Sequence, residues 1–464
     1  MGGSAVVNVA VGIVKTKIVA VILGPAGLGI IILLQNVMQT AASVASLGLG
    51  QAGTRQVAEA NEEGNTNAIA LVRRTLIVAT ATLGFIAAAV LWLAGDQLTA
   101  WFELGPQVAS QMRWLAIGTA LTVATQAQIA LLMGFRRIGD LARVSTLSVI
   151  VSAVIGLTAV WLWGRGGIAA YVLSQVGATF VIGHFYVMRL KRSPKVLLSP
   201  GAVMHQFTTM LFFGAALTVA AVTVNVGQLL ARTLIQQQLG AAAVGLFQAA
   251  WLVSVSYLGF VLQAMGADFY PRIVAAANEP QRLARLVNDQ IEVALLLAAP
   301  VLLGMLGTAP WLMQLLYSRA FEPAVQVLQW QVLGDVLKVA SWPIGYLLLA
   351  VNASRAYMVA EISAILVFLV ALRLLLPIWG VQASGAAVLA MYVFYFAFVF
   401  GVAARRVRFR PTRGNLVLLG SLFAACLLMF FIARWMPLAG AALGIVLAAG
   451  AGGGCFWHLR HAAR

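Results

Sequence analysis

Acidic side chains are what this chain has least of. Among 464 residues there are only 13 Asp and Glu against 30 Lys and Arg, and charged residues make up 9% of the chain while hydrophobic ones make up 62%. A soluble domain needs a charged surface, so this balance excludes one. The mean hydropathy of +0.95 makes lipid the solvent for most of the surface. Cysteine is almost absent. Cys426 and Cys455 both fall in late apolar segments, which reads as helix packing rather than a disulfide framework or a thiolate metal site. Histidine is confined to His184, His205, His458 and His461. No HExxH, Walker loop, nucleophile elbow or CxxC is present, so the usual zinc, nucleotide and acyl-transfer chemistries have no foothold, and neither a metal nor a cofactor is expected. The first residues, Met1-Gly2-Gly3-Ser4-Ala5-Val6, lack the basic stretch of a cleaved signal peptide. Val6 also stands where a myristoylation motif needs Ser or Thr.

What is abundant is apolar sequence in runs long enough to cross a bilayer, about 20 residues each. The runs predict spans at 4–23, 26–50, 75–95, 108–133, 143–163, 167–188, 207–233, 242–266, 287–307, 324–350, 357–377, 381–403, 415–435 and 438–458, fourteen in all. The longer connections, Thr54–Arg74, Arg189–His205, Asp268–Arg285 and Arg405–Arg413, are charged, and none is long enough to fold as a domain. The function must therefore sit among the helices. The net charge of +17 could suggest a nucleic-acid partner, but its placement argues otherwise. Of the 30 Lys and Arg, only Arg113, Arg165, Arg232, Arg319, Arg373 and Arg434 fall at outer ends when the N-terminus is inside. Lys15, Lys17 and Lys338 lie within spans. The rest, including Lys191, Arg192, Lys195 and Arg464, fall on the inner side. That is a positive-inside bias with both termini cytoplasmic, and no nucleic acid is expected.

The chain also repeats itself. Leu23-Gly24-Pro25-Ala26-Gly27-Leu28-Gly29 returns as Leu239-Gly240-Ala241-Ala242-Ala243-Val244-Gly245, an offset of 216 residues (239 − 23). Gly118-Thr119 to Thr125 returns at the same offset as Gly334-Asp335 to Ser341. With one residue inserted, Asn8 and Lys15 correspond to Asn225 and Arg232. Six spans separate the copies, and an even number keeps both in one orientation. The expectation is an all-α polytopic membrane protein with two pseudo-twofold-related six-helix bundles, 1–190 and 206–403, around a central cavity, plus a peripheral pair of helices at 414–460.

Polar residues inside spans mark its interior, because lipid offers them no partner. Span 2 carries Gln35, Gln39, Ser43 and Ser46 on one helical face; span 7 carries Thr218, Asn225, Gln228 and Arg232; span 10 carries Gln331, Asp335, Lys338 and Trp342. Spans 13 and 14 have almost no such stripe. The plain reading of any single Gln or Ser is helix-packing glue; three stripes in repeat-related spans read as a hydrated cavity. Lys15 and Arg232, being repeat partners, would present two cations to one axis, which suits an anion with several oxygens such as a diphosphate. The competing reading is that each snorkels to the membrane surface. Asp335 and Lys338 can pair at i,i+3 and correspond to Thr119 and Thr122, so the repeat tolerates neutral residues there. Asp268, Glu292, Glu361 and Asp335 are the candidates for ion coupling; the alternative is that they are solvated or paired with nearby Arg.

At this point the residues resemble a known family. Leu23-Gly24-Pro25-x-Gly27-x-Gly29, followed by a Ser/Gly-rich span ending in Arg55, is similar to the polysaccharide-repeat-unit exporters of the multidrug/oligosaccharidyl-lipid/polysaccharide superfamily. Leu239-Gly240 through Trp251, Tyr270-Pro271, and Trp330-Gln331 through Trp342 look like the bacterial flippases for O-antigen units and for the lipid-linked unit of enterobacterial common antigen. The resemblance covers residues 4 to about 403. It implies two six-helix bundles forming a V around a cavity, a substrate of oligosaccharide on undecaprenyl diphosphate, and alternating access across the bacterial inner membrane. It also implies membrane lipids and other polysaccharide-assembly membrane proteins as partners, and no catalysis. On this reading Lys15, Arg232 and Lys338 would meet the diphosphate, while Asn8, Asn225, Gln228, Gln35, Gln39, Gln331 and Asp335 would line the site. Spans 13 and 14 depart from the commonest twelve-span pattern, which keeps the fourteen-helix peptidoglycan-precursor flippases open as an alternative. A multidrug or cation antiporter of the same superfamily would need an acidic cavity, and the deep charges here are mostly basic. A membrane polymerase or ligase would need sizeable outer loops, which are missing.

Overall fold

The computed structural model describes residues 2–104, 106–190 and 199–462. Lys191, Arg192, Lys195 and Arg464, placed above on the inner side, lie outside the described residues. In chain order the helices are α1 (Gly2–Ser46), α2 (Leu49–Glu62), α3 (Thr66–Leu93), α4 (Gly95–Trp101), α5 (Pro106–Gly134), α6 (Ile138–Trp163), α7 (Ile168–Met188), α8 (Pro200–Leu239), α9 (Ala241–Ala275), α10 (Pro280–Leu316), α11 (Ala324–Ala350), α12 (Ser354–Trp379), α13 (Gln382–Val407), α14 (Arg413–Trp435) and α15 (Pro437–Ala462). Among the described residues there is no strand. α1 is two helices that meet at Gly24, and α2 and α4 are short. Among the described residues fourteen helical segments of spanning length remain, as the apolar runs predicted. Ten stretches among the described residues are long and apolar enough to cross a membrane. Two of them, Val7–Ser46 and Ile138–Met188, hold two helices each. The outward faces are themselves apolar: Phe85, Leu93, Trp161 and Val417 are each at least 69% exposed. Surfaces carrying many large apolar side chains suit hydrocarbon as their solvent.

The duplication is written in the backbone. Gly24 has φ 64° and ψ −171°, and Gly240 has φ 80° and ψ 175°. This conformation is open essentially to glycine alone, and in both copies it interrupts a helix within one residue. Two further positive-φ pairs share the offset of 216. Arg136 and Asn352 both sit at φ 55°, and Gly164 and Gly380, which end α6 and α12, sit at φ 53° and 58°. The hydrogen bonds around the first of these pairs are copied as well. Arg136 N–H donates to Met133 O and Arg137 N–H to Leu132 O, while Asn352 N–H donates to Leu349 O and Ala353 N–H to Leu348 O. Each set is the double bond pattern that closes a helix C-terminus through one left-handed residue.

One expected loop is mostly helix. Thr54–Arg74 reads as a charged connection, but α2 occupies most of it and α3 begins at Thr66. Its charges lie on one side of an amphipathic helix: Leu49, Ala52, Gly53, Val57 and Ala60 are buried, and Arg55 pairs with Glu59 one turn on at 2.6 Å. Asn65 caps α3 by accepting from Ala68 N–H at 3.0 Å. The connection expected at Asp268–Arg285 likewise shortens to the few residues between Ala275 and Pro280.

The chain forms two compact units, Met1–Val244 and Gly245–Arg464. In the first, α8 packs on α1, α2 and α3, and α1 packs on α5, α6 and α7. In the second, α11 packs on α10 and α13, α12 on α13, and the α14–α15 pair on α10. α8, which the repeat register makes the first helix of the second copy, thus takes its neighbours from the first unit.

The glycine hinges supply a test. A Cβ at Gly24 or Gly240 would meet no atom within 4 Å, so any penalty there comes from backbone conformation alone. Gly24→Ala and Gly240→Ala should each lower stability by about 1–3 kcal/mol in thermal unfolding of the detergent-solubilised protein. Gly12→Ala, equally unobstructed but inside a helix, should be neutral or stabilising by up to about 1 kcal/mol.

Candidate functional site

In the first unit the polar interior is built on a parallel seam between α1 and α6. Asn8 Nδ2 donates to Ser145 Oγ at 2.8 Å, and Lys15 Nζ donates to Ser152 Oγ at 3.2 Å. Both pairs are 137 residues apart in sequence, so each step of two turns on one helix is matched by two turns on the other. Lys15 also donates to Gln175 Oε1 on α7 at 3.3 Å, and its ammonium lies 4.5 Å from the centre of the Tyr171 ring. Ser152 Oγ in turn donates to Gln175 Oε1 at 2.6 Å. Lys15 is 8% exposed, and among the described residues no carboxylate comes within ion-pair distance of it. The cation is solvated by two neutral oxygens and an aromatic face, an arrangement that leaves its charge uncancelled.

The repeat partners of Asn8 and Lys15 meet different neighbours. Asn225 Nδ2 donates to Ser43 Oγ at 2.8 Å, and Arg232 Nη1 donates to Asn36 Oδ1 at 3.2 Å and to Gln228 Oε1 at 3.2 Å. On α8 the step from 225 to 232 runs up the chain while on α1 the step from 43 to 36 runs down, so this seam is antiparallel. The register explains part of the divergence. Ser152, the acceptor for Lys15, corresponds to Phe368 (368 − 152 = 216), which offers a guanidinium no oxygen. Lys15 and Arg232 therefore sit in one unit, on separate seams. Of the expected span 2 stripe, Ser43 belongs to this second seam, Gln35 is half-buried and Gln39 is exposed. Asn36, which the stripe passed over, is the residue that reaches Arg232. The sequence held its signal: it is seven residues before Ser43 and shares its face.

In the second unit the polar residues gather around α11. Asp335, 1% exposed, accepts from Ser254 Oγ of α9 at 2.6 Å. Lys338 Nζ stands 4.0 Å from Asp335 Oδ1 and 5.6 Å from the centre of the Tyr392 ring on α13. The close approach of α11 and α13 is what brings Tyr392 there: a Cβ at Gly385 would lie 2.4 Å from Val327 O. One turn further along α13, Tyr395 donates its hydroxyl to Glu361 Oε1 of α12 at 2.9 Å. Gln331 is fully buried, and neither polar atom of its amide has a hydrogen-bond partner among the described residues. In the first copy the corresponding Thr119 and Thr122 donate back to their own helix, to Leu115 O at 2.9 Å and Gly118 O at 2.7 Å, and reach no other element through those bonds. The other two acids lie apart. Asp268 pairs with Arg272 at 3.0 Å and is 74% exposed. Glu292 of α10 lies 3.0 Å from His458 Nε2 of α15, with both side chains about two-fifths exposed. Among the described residues no group of three His, Cys, Asp or Glu could hold a metal ion, and both cysteines are buried free thiols.

A helical chain of fourteen spanning segments, doubled with its turns in register and with cations held inside, is the fold of a membrane transporter. Solved structures agree. An inward-facing multidrug resistance MATE family transporter of the MOP superfamily matches 86% of this chain and 94% of its own, with a TM-score of 0.72 at 14% identity. The lipid II flippase MurJ in an inward closed conformation matches 99% of both chains, with a TM-score of 0.73 at 11% identity. The family model described as "Polysaccharide biosynthesis protein" matches residues 18–326, well over half of the chain, and the protein belongs to that family. It is 27% identical over 413 residues to the lipid III flippases of Escherichia coli (strain K12) and Shigella flexneri, covering 86% of this chain and 95% of each of theirs.

The α11 cluster behaves as a unit if its pairing is what makes it tolerable. Ser254→Ala should cost about 1–3 kcal/mol of stability by removing the donor to a buried carboxylate. Asp335→Ala should cost about 3–5 kcal/mol because Lys338 is left unmatched. The double change D335L/K338M should cost less than Asp335→Ala alone. Denaturation in micelles reads all three, and a double variant as unstable as the single one would show that the two charges do not neutralise each other.

Proposed function

We propose that this protein is a flippase that moves oligosaccharide repeat units linked to undecaprenyl diphosphate from the inner to the outer leaflet of the bacterial inner membrane, by alternating access, for surface polysaccharide assembly. The observation that carries the reading is Lys15: a cation buried in a span, held by Ser152, Gln175 and Tyr171, with its charge uncancelled by any carboxylate among the described residues. Such a group favours an anionic ligand and disfavours a cationic drug. Arg232, held by Asn36 and Gln228 in the same unit, is the further diphosphate contact there, with Asn8, Asn225, Gln35 and Gln39 as hydrogen-bonding groups for sugar hydroxyls. In the second unit Lys338 beside Asp335 is the candidate anion contact and Gln331 the candidate sugar contact. The similarity to the lipid III flippases, which are named for a lipid cargo, supports the substrate class. Both termini face the cytoplasm in this reading, the protein carries out no covalent chemistry, and it works beside other polysaccharide-assembly membrane proteins. If an ion drives the cycle, Asp335 and Glu361 are the better placed carriers, because both lie within the α9–α13 polar network, whereas Asp268 and Glu292 are bound near exposed partners.

One observation favours a second reading. The likeness to MurJ extends over 99% of the chain, α14 and α15 included, which keeps a peptidoglycan lipid precursor in view as cargo. Both readings are tested in proteoliposomes with defined diphosphate-linked substrates. Lys15→Ala, Arg232→Ala and Lys338→Ala are each expected to slow transport by roughly 10- to 100-fold, the worth of one charged hydrogen bond, with the protein still inserted. Unimpaired transport in all three would remove the anion site, and faster transport of a muropeptide-linked lipid than of an oligosaccharide-linked one would select the second reading.

A further inference from the structure

No Asp or Glu follows Glu361 in this chain, and the segment Arg405-Arg406-Val407-Arg408-Phe409-Arg410-Pro411-Thr412-Arg413 carries five arginines in nine residues. Six of the other arginines that the positive-inside pattern assigns to the inner side are matched. Arg55 pairs with Glu59, Arg136 with Glu62, Arg137 and Arg143 with Asp140, Arg272 with Asp268, and Arg282 with Glu279. The five arginines at the α13–α14 junction have no carboxylate within ion-pair distance among the described residues, and all five are exposed.

The junction is nonetheless fixed in place. Phe409, between Arg408 and Arg410, is 2% exposed. Asn288 of α10 donates through Nδ2 to Arg410 O at 3.2 Å, and its Oδ1 accepts from Thr412 N–H at 2.9 Å and from Asn415 Nδ2 at 3.0 Å. Asn415 Nδ2 also donates to Asn288 O at 2.9 Å. A buried ring and two buried amides thus hold the backbone from which the arginines project. Arginines that only set topology need charge near a span and no such frame. Leu416 and Val417, in the first turn of α14, are 53% and 69% exposed, so apolar surface begins where the charge ends.

We propose that the α13–α14 junction is a binding site for an anionic glycerophospholipid, with the headgroup phosphate on Arg406, Arg408 and Arg410 and the acyl chain along Leu416 and Val417. The guanidinium fork matches phosphate oxygens in pairs, and unmatched exposed arginines are free to take them. The proposal is independent of the transported substrate.

The test uses the full chain in nanodiscs of phosphatidylcholine containing phosphatidylglycerol, with lipids retained after mild detergent extraction counted by native mass spectrometry. The wild type should retain phosphatidylglycerol in preference to phosphatidylcholine. The variant R406Q/R408Q/R410Q should bind it roughly a hundredfold more weakly, about fivefold for each charge removed, while R143Q/R272Q/R282Q, lost from matched pairs, should bind as the wild type does. Asn288→Ala keeps every charge but releases the frame, and it should weaken retention at least about fivefold; retention unchanged in that variant would overturn the site and leave only a charge effect. Equal loss in both arginine triples would overturn it too. So would preferential retention of added undecaprenyl phosphate over phosphatidylglycerol. Should the first triple variant misinsert, Asn288→Ala decides alone.

Discussion

A charge inside a span has no water to solvate it, and at Lys15 and Asp335 that requirement organises the helices around it. Placing either group at mid-helix costs about 2.5–3.5 kcal/mol on insertion scales. The surrounding chain answers by supplying oxygens and rings from other elements: Ser152, Gln175 and Tyr171 around Lys15, Ser254 and Lys338 around Asp335. Those partners fix which faces of α6, α7 and α9 turn inward. Packing alone would not demand them. Thr119 and Thr122 hold the same frame in the first copy and are satisfied within their own helix. A frame that closes without charge in one copy shows that closing it does not require the charge carried in the other.

The two copies show which physical rules survive divergence. Gly24 with Gly240, Arg136 with Asn352, and Gly164 with Gly380 keep positive φ at one fixed offset, although the second pair shares no side-chain chemistry. A helix end is set by backbone geometry and tolerates any residue that can occupy the left-handed well at modest cost. A polar socket needs particular atoms at particular places, so one substitution abolishes it, as Phe368 does at the position of Ser152. The turns therefore stayed equivalent while the interiors did not: each copy holds a cation among neutral oxygens, Lys15 in one and Arg232 in the other, but only the second adds the Asp335–Lys338 pair beside Tyr392.

The same contrast explains what could be read in advance. Fourteen spans were legible because apolar runs of bilayer length have few other meanings, and the Leu-Gly hinges because glycine repeats at a helix break have a stated backbone cause. The pairing of Asp335 with Lys338 followed from i,i+3 spacing. The partners on other helices were not legible. Periodicity says which residues share a face and leaves open which helix that face meets, so Ser152, Gln175, Ser254 and Tyr392 became visible only with the packing. α2 is hidden in the sequence for a different reason: its charges resemble those of a loop, yet they form the solvated side of an amphipathic helix whose apolar side is buried.

The pattern of pairing separates two uses of positive charge in a chain that has a large excess of it. Six of the arginines that the positive-inside pattern would put on the inner side are tied to carboxylates, with the arginine side chains half or more exposed. Exposed pairs of this kind contribute little to stability, and their pairing leaves little free field. Lys15 is buried without an acid, and the α13–α14 arginines are exposed without one. With 13 acids in the whole chain, where an acid is absent is as informative as where one is present. Positive charge on a fixed frame with no acid beside it attracts phosphate, and two of its locations differ in burial: Lys15 in the helical interior of the first unit, and the arginines where α13 gives way to α14. Depth then assigns the ligand. A buried ammonium is reached only by a group that enters the protein, whereas exposed guanidiniums above an apolar helix face meet the lipids that already surround it.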